Sequence, residues 1–339
     1  MEIVDNPKKE KWNQICSRLT SSYNQNEEIV SKIFKDVEKN GDEALIKYTL
    51  KYDNVLIKDF LVSESEISNS KDIVDFKLKK AISVAYNNIY KFHSAQKSKK
   101  IIVETSKGVE CWQKKYPIEK VGLYIPGGTA PLFSTLLMLV IPAKIAGCEE
   151  IIVCTPPGVD GKVSNVILYT AFLCGIKKIY KVGGIQSIAA LTIGTESIPK
   201  VYKIFGPGNA YVNEAKRQVF GQVGVDLLPG PSEVMVIADK TAQPSLVAAA
   251  LLAQAEHGSG KEKVYFLFQD KELFNPVLEE MEKQMAERSH ASLIRPVLEG
   301  GFFAVYLPEK ERLAEVANYI APEHLELQAS ENACDFYLK

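Results

Sequence analysis

The sequence predicts an α/β fold of parallel strands and crossover helices, preceded by a helical N-terminal region. Three observations support this. Residues 25 to 100 carry apolar side chains at helical period in EEIVSKIFKDVEKNG and KLKKAISVAYNNIYKFHSAQ, around a short polar segment near 52 to 72. From about residue 119, short apolar runs alternate with amphipathic stretches, the rhythm of strand, crossover helix and parallel strand. The turn-rich LLPGPSE then interrupts that rhythm before it resumes, which divides the α/β part in two.

In order, the first set is EKVGLYIP, a helix from 131, EEIIVCTPP, a helix near 162 to 174, KKIYKVGG, a helix from 185, and KVYKIFGPG leading into NAYVNEAKRQVF. The second is VMVIAD, the helix PSLVAAALLAQAEH, KVYFLF, a charged helix near 271 to 288, FFAVYL and a last helix before Pro322. The helical N-terminal third has too few strands for a sheet of its own and is expected to pack on the second set. The expected division is thus a helical segment 1–24, a discontinuous α/β domain of 25–124 with 233–339, and an inserted domain 125–232.

Bulk properties narrow the partners. The 339 residues are 46% hydrophobic and 24% charged, and 41 Lys and Arg offset 42 Asp and Glu to a net charge of −1. Dispersed and balanced charge argues against nucleic acid and against an acidic membrane surface, leaving small-molecule chemistry. Cys16, Cys111, Cys148, Cys154, Cys174 and Cys334 form no CxxC pair, which fits reduced thiols in a cytoplasmic protein. MEIVDNPKKEKW does not read as a secretion signal, and the apolar run LFSTLLMLVIPAKIAG is broken by Ser134, Thr135 and Pro142, so no membrane span is expected.

Two glycine-rich turns follow strands, at Tyr124 to Thr129 and at Phe205 to Asn209, where backbone N–H groups and a helix dipole can hold phosphate. Either turn can equally use its glycines for backbone geometry alone. GSGKE at 258 to 262 fails as a phosphate loop, because residue 255 is Ala and Glu262 stands where Ser or Thr is needed.

Only four histidines occur, and two follow a glutamate. Gln254 and His257, three apart on a helix, share a face and could reach one ion; alternatively His257 before Gly258 simply ends the helix. Glu323 and His324 after Pro322 are expected in the first turn of a short helix, either as a favourable helix start or as proton acceptors. His93 and His290 sit in charged surroundings and receive no role.

Five long strings in order carry a resemblance: VGLYIPGGTAPLFSTLLMLVIPAKIAGC, KIFGPGNAYVNEAKRQVFG, LPGPSEVMVIAD, LLAQAEHG and NYIAPEHLELQ. Together they resemble the histidinol dehydrogenase family, over essentially the whole chain from about residue 25. The resemblance implies two incomplete Rossmann-like domains of the aldehyde-dehydrogenase-like kind, in a homodimer. It implies zinc-dependent oxidation of L-histidinol to L-histidine through histidinaldehyde, with two NAD reduced.

Carried onto this sequence, it makes Gln254 and His257 zinc ligands, Glu323 the base that activates water and His324 the base that takes the alcohol proton. Ser232, Gln254, His257 and His324 would line the substrate pocket, and Tyr124, Gln186 and Asn209 would contact NAD. The family pattern continues past CDFYLK with a further Asp and His ligand. The chain is therefore read as a piece of a longer enzyme, with a partial zinc site and impaired activity. Two other readings are a zinc- and NAD-dependent dehydrogenase of another small polar alcohol, and a non-catalytic fragment.

Overall fold

A computed structural model describes residues 3–15, 24–127, 131–227, 232–257, 260–288 and 291–338. The chain opens with strand β1 (Ile3–Asp5) and short helix α1 (Trp12–Ile15), followed by α2 (Asn24–Asp53), α3 (Glu64–Ile73) and α4 (Phe76–Ala95). Local chemistry sets two of these helix starts. Ser63 and Glu66 form a capping box for α3, and the Asp75 carboxylate accepts the Lys77 and Leu78 N–H groups at the start of α4. An antiparallel hairpin of β2 (Ile101–Ser106) and β3 (Val109–Gln113) comes next, exposed along its length.

Two compact units result: a continuous one, Ser22–Leu228, and a split one, Met1–Ser21 with Pro229–Lys339. In the continuous unit β4 (Lys120–Tyr124), β5 (Glu150–Thr155), β6 (Lys178–Lys181), β7 (Lys203–Phe205) and β8 (Gly224–Val225) form a parallel sheet in the order β6-β5-β4-β7-β8. The crossovers are α5 (Phe133–Ala146), α6 (Asn165–Leu173), α7 (Gly184–Ile193) and α8 (Ala210–Val219). Alternate residues feed opposite faces. Val121, Leu123 and Val153 join a core with α3, α4, α5 and α6, while Tyr124, Ile152 and Cys154 join one with α2, α7 and α8.

The split unit repeats the plan. Strands β9 (Glu233–Ala238), β10 (Lys263–Phe268), β11 (Phe302–Tyr306) and β12 (His324–Gln328) stand with β1 in the order β1-β11-β10-β9-β12, all parallel. Helices α9 (Pro244–Ala255), α10 (Phe274–Ala286) and α11 (Ala291–Gly301) cover one face over Val236, Phe266 and Ala304. The other face packs Met235, Tyr265 and Val305 against Trp12 and Ile15 of α1 and Leu313 and Val316 of α12 (Lys310–Ile320). The chain closes with α13 (Glu331–Tyr337).

Three expectations are corrected. Helices from 25–124 do not join 233–339; Val30, Ile33 and Leu45 of α2 and Ile67 and Ile82 of α3 and α4 fill the two cores of the continuous unit, whose sheet needs helices on both faces. The boundary between units follows Leu228, close to the expected 232. The segment 1–24 is not simply helical, since Ile3–Asp5 pairs with β11. Finally, His324 starts a strand rather than lying in a helix, because HLELQ alternates at period two and the helix before it ends at Ala321, which is left-handed at φ +47° and precedes Pro322.

The cysteines differ in burial. Cys154 lies inside β5 and burial pushes its thiol far up; Cys174 is pushed up to about 11 for the same reason, whereas Cys111 is exposed. Cys16, His290, Gly128, Thr129 and Gly258 lie outside the described residues. Among the described residues no helix is long and apolar enough to cross a membrane.

Candidate active site

Each unit carries its own set of candidate residues. In the continuous unit a cleft of about 830 Å³ opens at the carboxyl ends of the strands, and Tyr124, Gln186 and Asn209 all line it. This is the switch point of the sheet, where β5 departs to one side of β4 and β7 to the other, the place where open parallel sheets bind ligands.

Burial pushes the Tyr124 phenol up to about 12, so it stays protonated at neutral pH. Its oxygen accepts the Gly184 N–H at 3.3 Å, leaving the phenol proton to donate. Gln186 is 1% exposed on the first turn of α7. The N-cap of that helix is Gly183, which has no side chain to satisfy the first N–H groups; the Tyr124 oxygen takes that of Gly184, and the rest of this helix start can face an anion.

The second glycine turn behaves differently. Asn209 caps α8 itself, its Oδ1 accepting the Tyr211 and Val212 N–H groups at 3.1 Å each, so only its amide NH2 remains for a ligand. The turn is locked from below. The buried Lys216 ammonium donates to the Gly206 carbonyl at 2.8 Å and pairs with Asp226, whose other oxygen accepts the Gly206 N–H at 2.7 Å. Gly206, at φ +125°, lies so close to β4 that a Cβ there would sit 2.1 Å from the Tyr124 carbonyl oxygen. The sequence reading did not single out this Lys216–Asp226 support.

In the split unit the candidates gather at the opposite, amino edge of the sheet. In register, Glu233 faces Lys263 and Val234 faces His324, so β9, β10 and β12 all begin there. Helix α9 runs back from the carboxyl end of β9 and delivers Gln254 and His257 to that edge, and Ser232 directly precedes β9. The Ser232 carbonyl accepts the Lys263 N–H at 3.2 Å. One Glu323 carboxylate oxygen accepts the Glu233 N–H at 3.3 Å, and the other is 3.8 Å from His324 Nε2, with the imidazole 62% exposed.

Gln254 and His257 do not share one continuous helix face. The helix ends at Ala255 with Glu256 as its cap, and His257 follows in a turn, exposed, its N–H reaching the Gln254 carbonyl at 3.3 Å. Gln254 is 6% exposed and its Nε2 is buried with no hydrogen-bond partner among the described residues. Such an unmet group costs about 1–3 kcal/mol, a state that suits a side chain awaiting an external partner. A half-turn of the amide exchanges its oxygen and nitrogen, so the same position can offer the oxygen to a cation. Glu256 pairs with Arg288, away from any such role.

Over residues 16–336 the chain matches the family model described as histidinol dehydrogenase. The histidinol dehydrogenase of Bacteroides thetaiotaomicron is 44% identical over 326 residues, covering 96% of this chain and 76% of that protein. That of Shigella sonnei is 46% identical over 309 residues, covering 90% and 70%. A crystal structure of histidinol dehydrogenase from Elizabethkingia anophelis matches with a TM-score of 0.93 at 45% identity, covering 99% of this chain and 77% of that one. By sequence along nearly its whole length and by the course of its backbone, the chain belongs to the histidinol dehydrogenase family.

Proposed function

We propose that the chain oxidises L-histidinol to L-histidine through histidinaldehyde, with NAD in the cleft of the continuous unit and with zinc and proton transfer at the amino edge of the split unit. The observation that carries this reading is the start of the neighbouring strands β9 and β12 at Ser232 and at Glu323 and His324, with a Glu323 oxygen on the Glu233 N–H, in a chain of this family.

Gln254 and His257 would hold zinc, giving two of the about four donors that the ion takes. Among the described residues no group of three or more His, Cys, Asp or Glu comes together, and the pair supplies only part of such a donor set. When bound, zinc supplies a Lewis acid that orients the polar groups of the substrate, and NAD supplies the hydride acceptor. Ser232 and the ligand pair then position histidinol.

The exposed His324 imidazole takes the hydroxyl proton as hydride leaves the same carbon, and the Glu323 carboxylate takes a proton from the water that hydrates the aldehyde. In this reading neither side chain is a ligand, which leaves both for proton transfer. In the cleft the Tyr124 phenol, the Gln186 amide and the Asn209 NH2 contact the dinucleotide, whose phosphates suit the open start of α7. The same reading has the protein working as a cytoplasmic homodimer, to be checked by sedimentation.

Turnover separates the two bases. His324→Gln should lower both oxidation steps by roughly 10²–10⁴-fold, whereas Glu323→Gln should lower aldehyde oxidation and spare the alcohol step. If both variants oxidise histidinol and histidinaldehyde at the wild-type rate, the assignment of the bases is wrong.

A further inference from the structure

Two carboxylates line the dinucleotide cleft, and they differ in how they are used. Asp160 is engaged by its own loop, its Oδ1 accepting the Lys162 N–H at 3.1 Å. Asp53, the last residue of α2, lines the same cleft with its Oδ2 buried and without a hydrogen-bond partner among the described residues. A carboxylate oxygen removed from water and left unmet is unfavourable unless a ligand donates to it. Burial alone accounts for the rise of its carboxyl to about 6, with no opposing cation, and it remains mostly ionised at neutral pH.

The place where sheets of this strand order put an acidic residue for the ribose, the end of the second strand, is filled here by Thr155, Pro156 and Pro157. The first carboxylate after them is Asp160, which is held by its own loop. Asp53 enters the cleft from the helical region instead, close enough to Tyr124 for its charge to disfavour the phenolate. Among the described residues Lys162 is the one cation lining the cleft, too few to hold the pyrophosphate and match an extra phosphate as well.

We propose that Asp53 accepts hydrogen bonds from the hydroxyls of the adenosine ribose of NAD and, by its charge, excludes the 2′-phosphate of NADP. Asp53 is then the residue that sets cofactor choice, a role that rests on the placement of NAD in this cleft. A ribose diol donates two hydrogens to a carboxylate that can accept both. A 2′-phosphate would remove that donor and bring a second anion against the first.

Calorimetric titration of NAD and of NADP into the full chain tests this without relying on turnover. Asp53→Ala should weaken NAD about tenfold, the loss of a charge-assisted bond. Asp53→Asn should weaken NAD less and tighten NADP, so that the preference for NAD falls about tenfold. Removing a desolvated charge does not threaten the fold, and a thermal melt of Asp53→Asn at or above the wild-type temperature separates lost binding from unfolding. Gln186→Ala serves as the reference for the cleft itself. If Gln186→Ala weakens NAD while both Asp53 variants keep the wild-type preference, Asp53 has no such role although the cleft stands. If all three bind NAD as wild type does, the cleft is not the cofactor site and the proposal falls with it.

Discussion

The two units share a strand order and use opposite ends of it. Counted from β4 in the continuous unit and from β9 in the split one, each places the first strand beside the second on one side and the fourth on the other, β5-β4-β7 and β10-β9-β12. The continuous unit leaves the carboxyl end of this switch point open as a cleft. In the split unit the same place is bridged by Asp239 after β9, which accepts N–H groups from Ser330, beyond β12, and from Thr241. Burial would raise the Asp239 carboxyl, but those hydrogen bonds outweigh it and hold it below the usual range. The candidates for metal and proton chemistry stand instead at the amino edge. Strand order thus offers a site and loop residues decide which edge takes it.

The comparison can be broken most severely at Gly206. Gly206→Ala would drive a Cβ to 2.1 Å from the Tyr124 carbonyl oxygen at φ +125°, and should cost at least about 4 kcal/mol, read as loss of the continuous unit's cooperative melt. Lys216→Met leaves Asp226 without its cation and should cost about 3 kcal/mol by denaturant titration, with NAD binding weakened and zinc binding kept. Asp239→Ala removes the bridge at the carboxyl end of the split unit's sheet. The lost bonds from Ser330 and Thr241 should lower protection of β9 and β12 against hydrogen exchange by about 2 kcal/mol, while NAD binding is unchanged.

The smallest effect lies in pH dependence. Because the Asp53 carboxyl is raised from 3.8 to about 6, the folded state holds its proton longer than the unfolded chain, and stability falls as pH rises through that window. In Asp53→Asn that decline should flatten, measured by denaturation at a series of pH values.

Much of the architecture was legible because strand and helix periods differ. KVYFLF and EEIIVCTPP announce buried strands, and each resolved crossover of the first set lies near its expected place. HLELQ carried its period of two in plain view, yet Pro322 before it suggested a helix start, and local preference was overridden by the free edge of β9. The packing of α2, α3 and α4 was not legible, since their apolar faces fit any sheet that lacks cover. Asp53 was invisible for a further reason. Its distinction is an unmet buried oxygen, and burial without a partner arises only when distant elements close around it. The roles of Glu323, His324 and the ligand pair came from the family strings, and the fold adds that they share one edge.

Titrations of NAD and of zinc into Gln186→Ala and His257→Ala test the separation of functions most directly. Gln186→Ala should lose NAD affinity and keep zinc affinity, and His257→Ala should do the reverse. Equal loss of both ligands in each variant, or wild-type binding of both in each, would contradict the assignment of cofactor and metal to opposite edges of two like sheets.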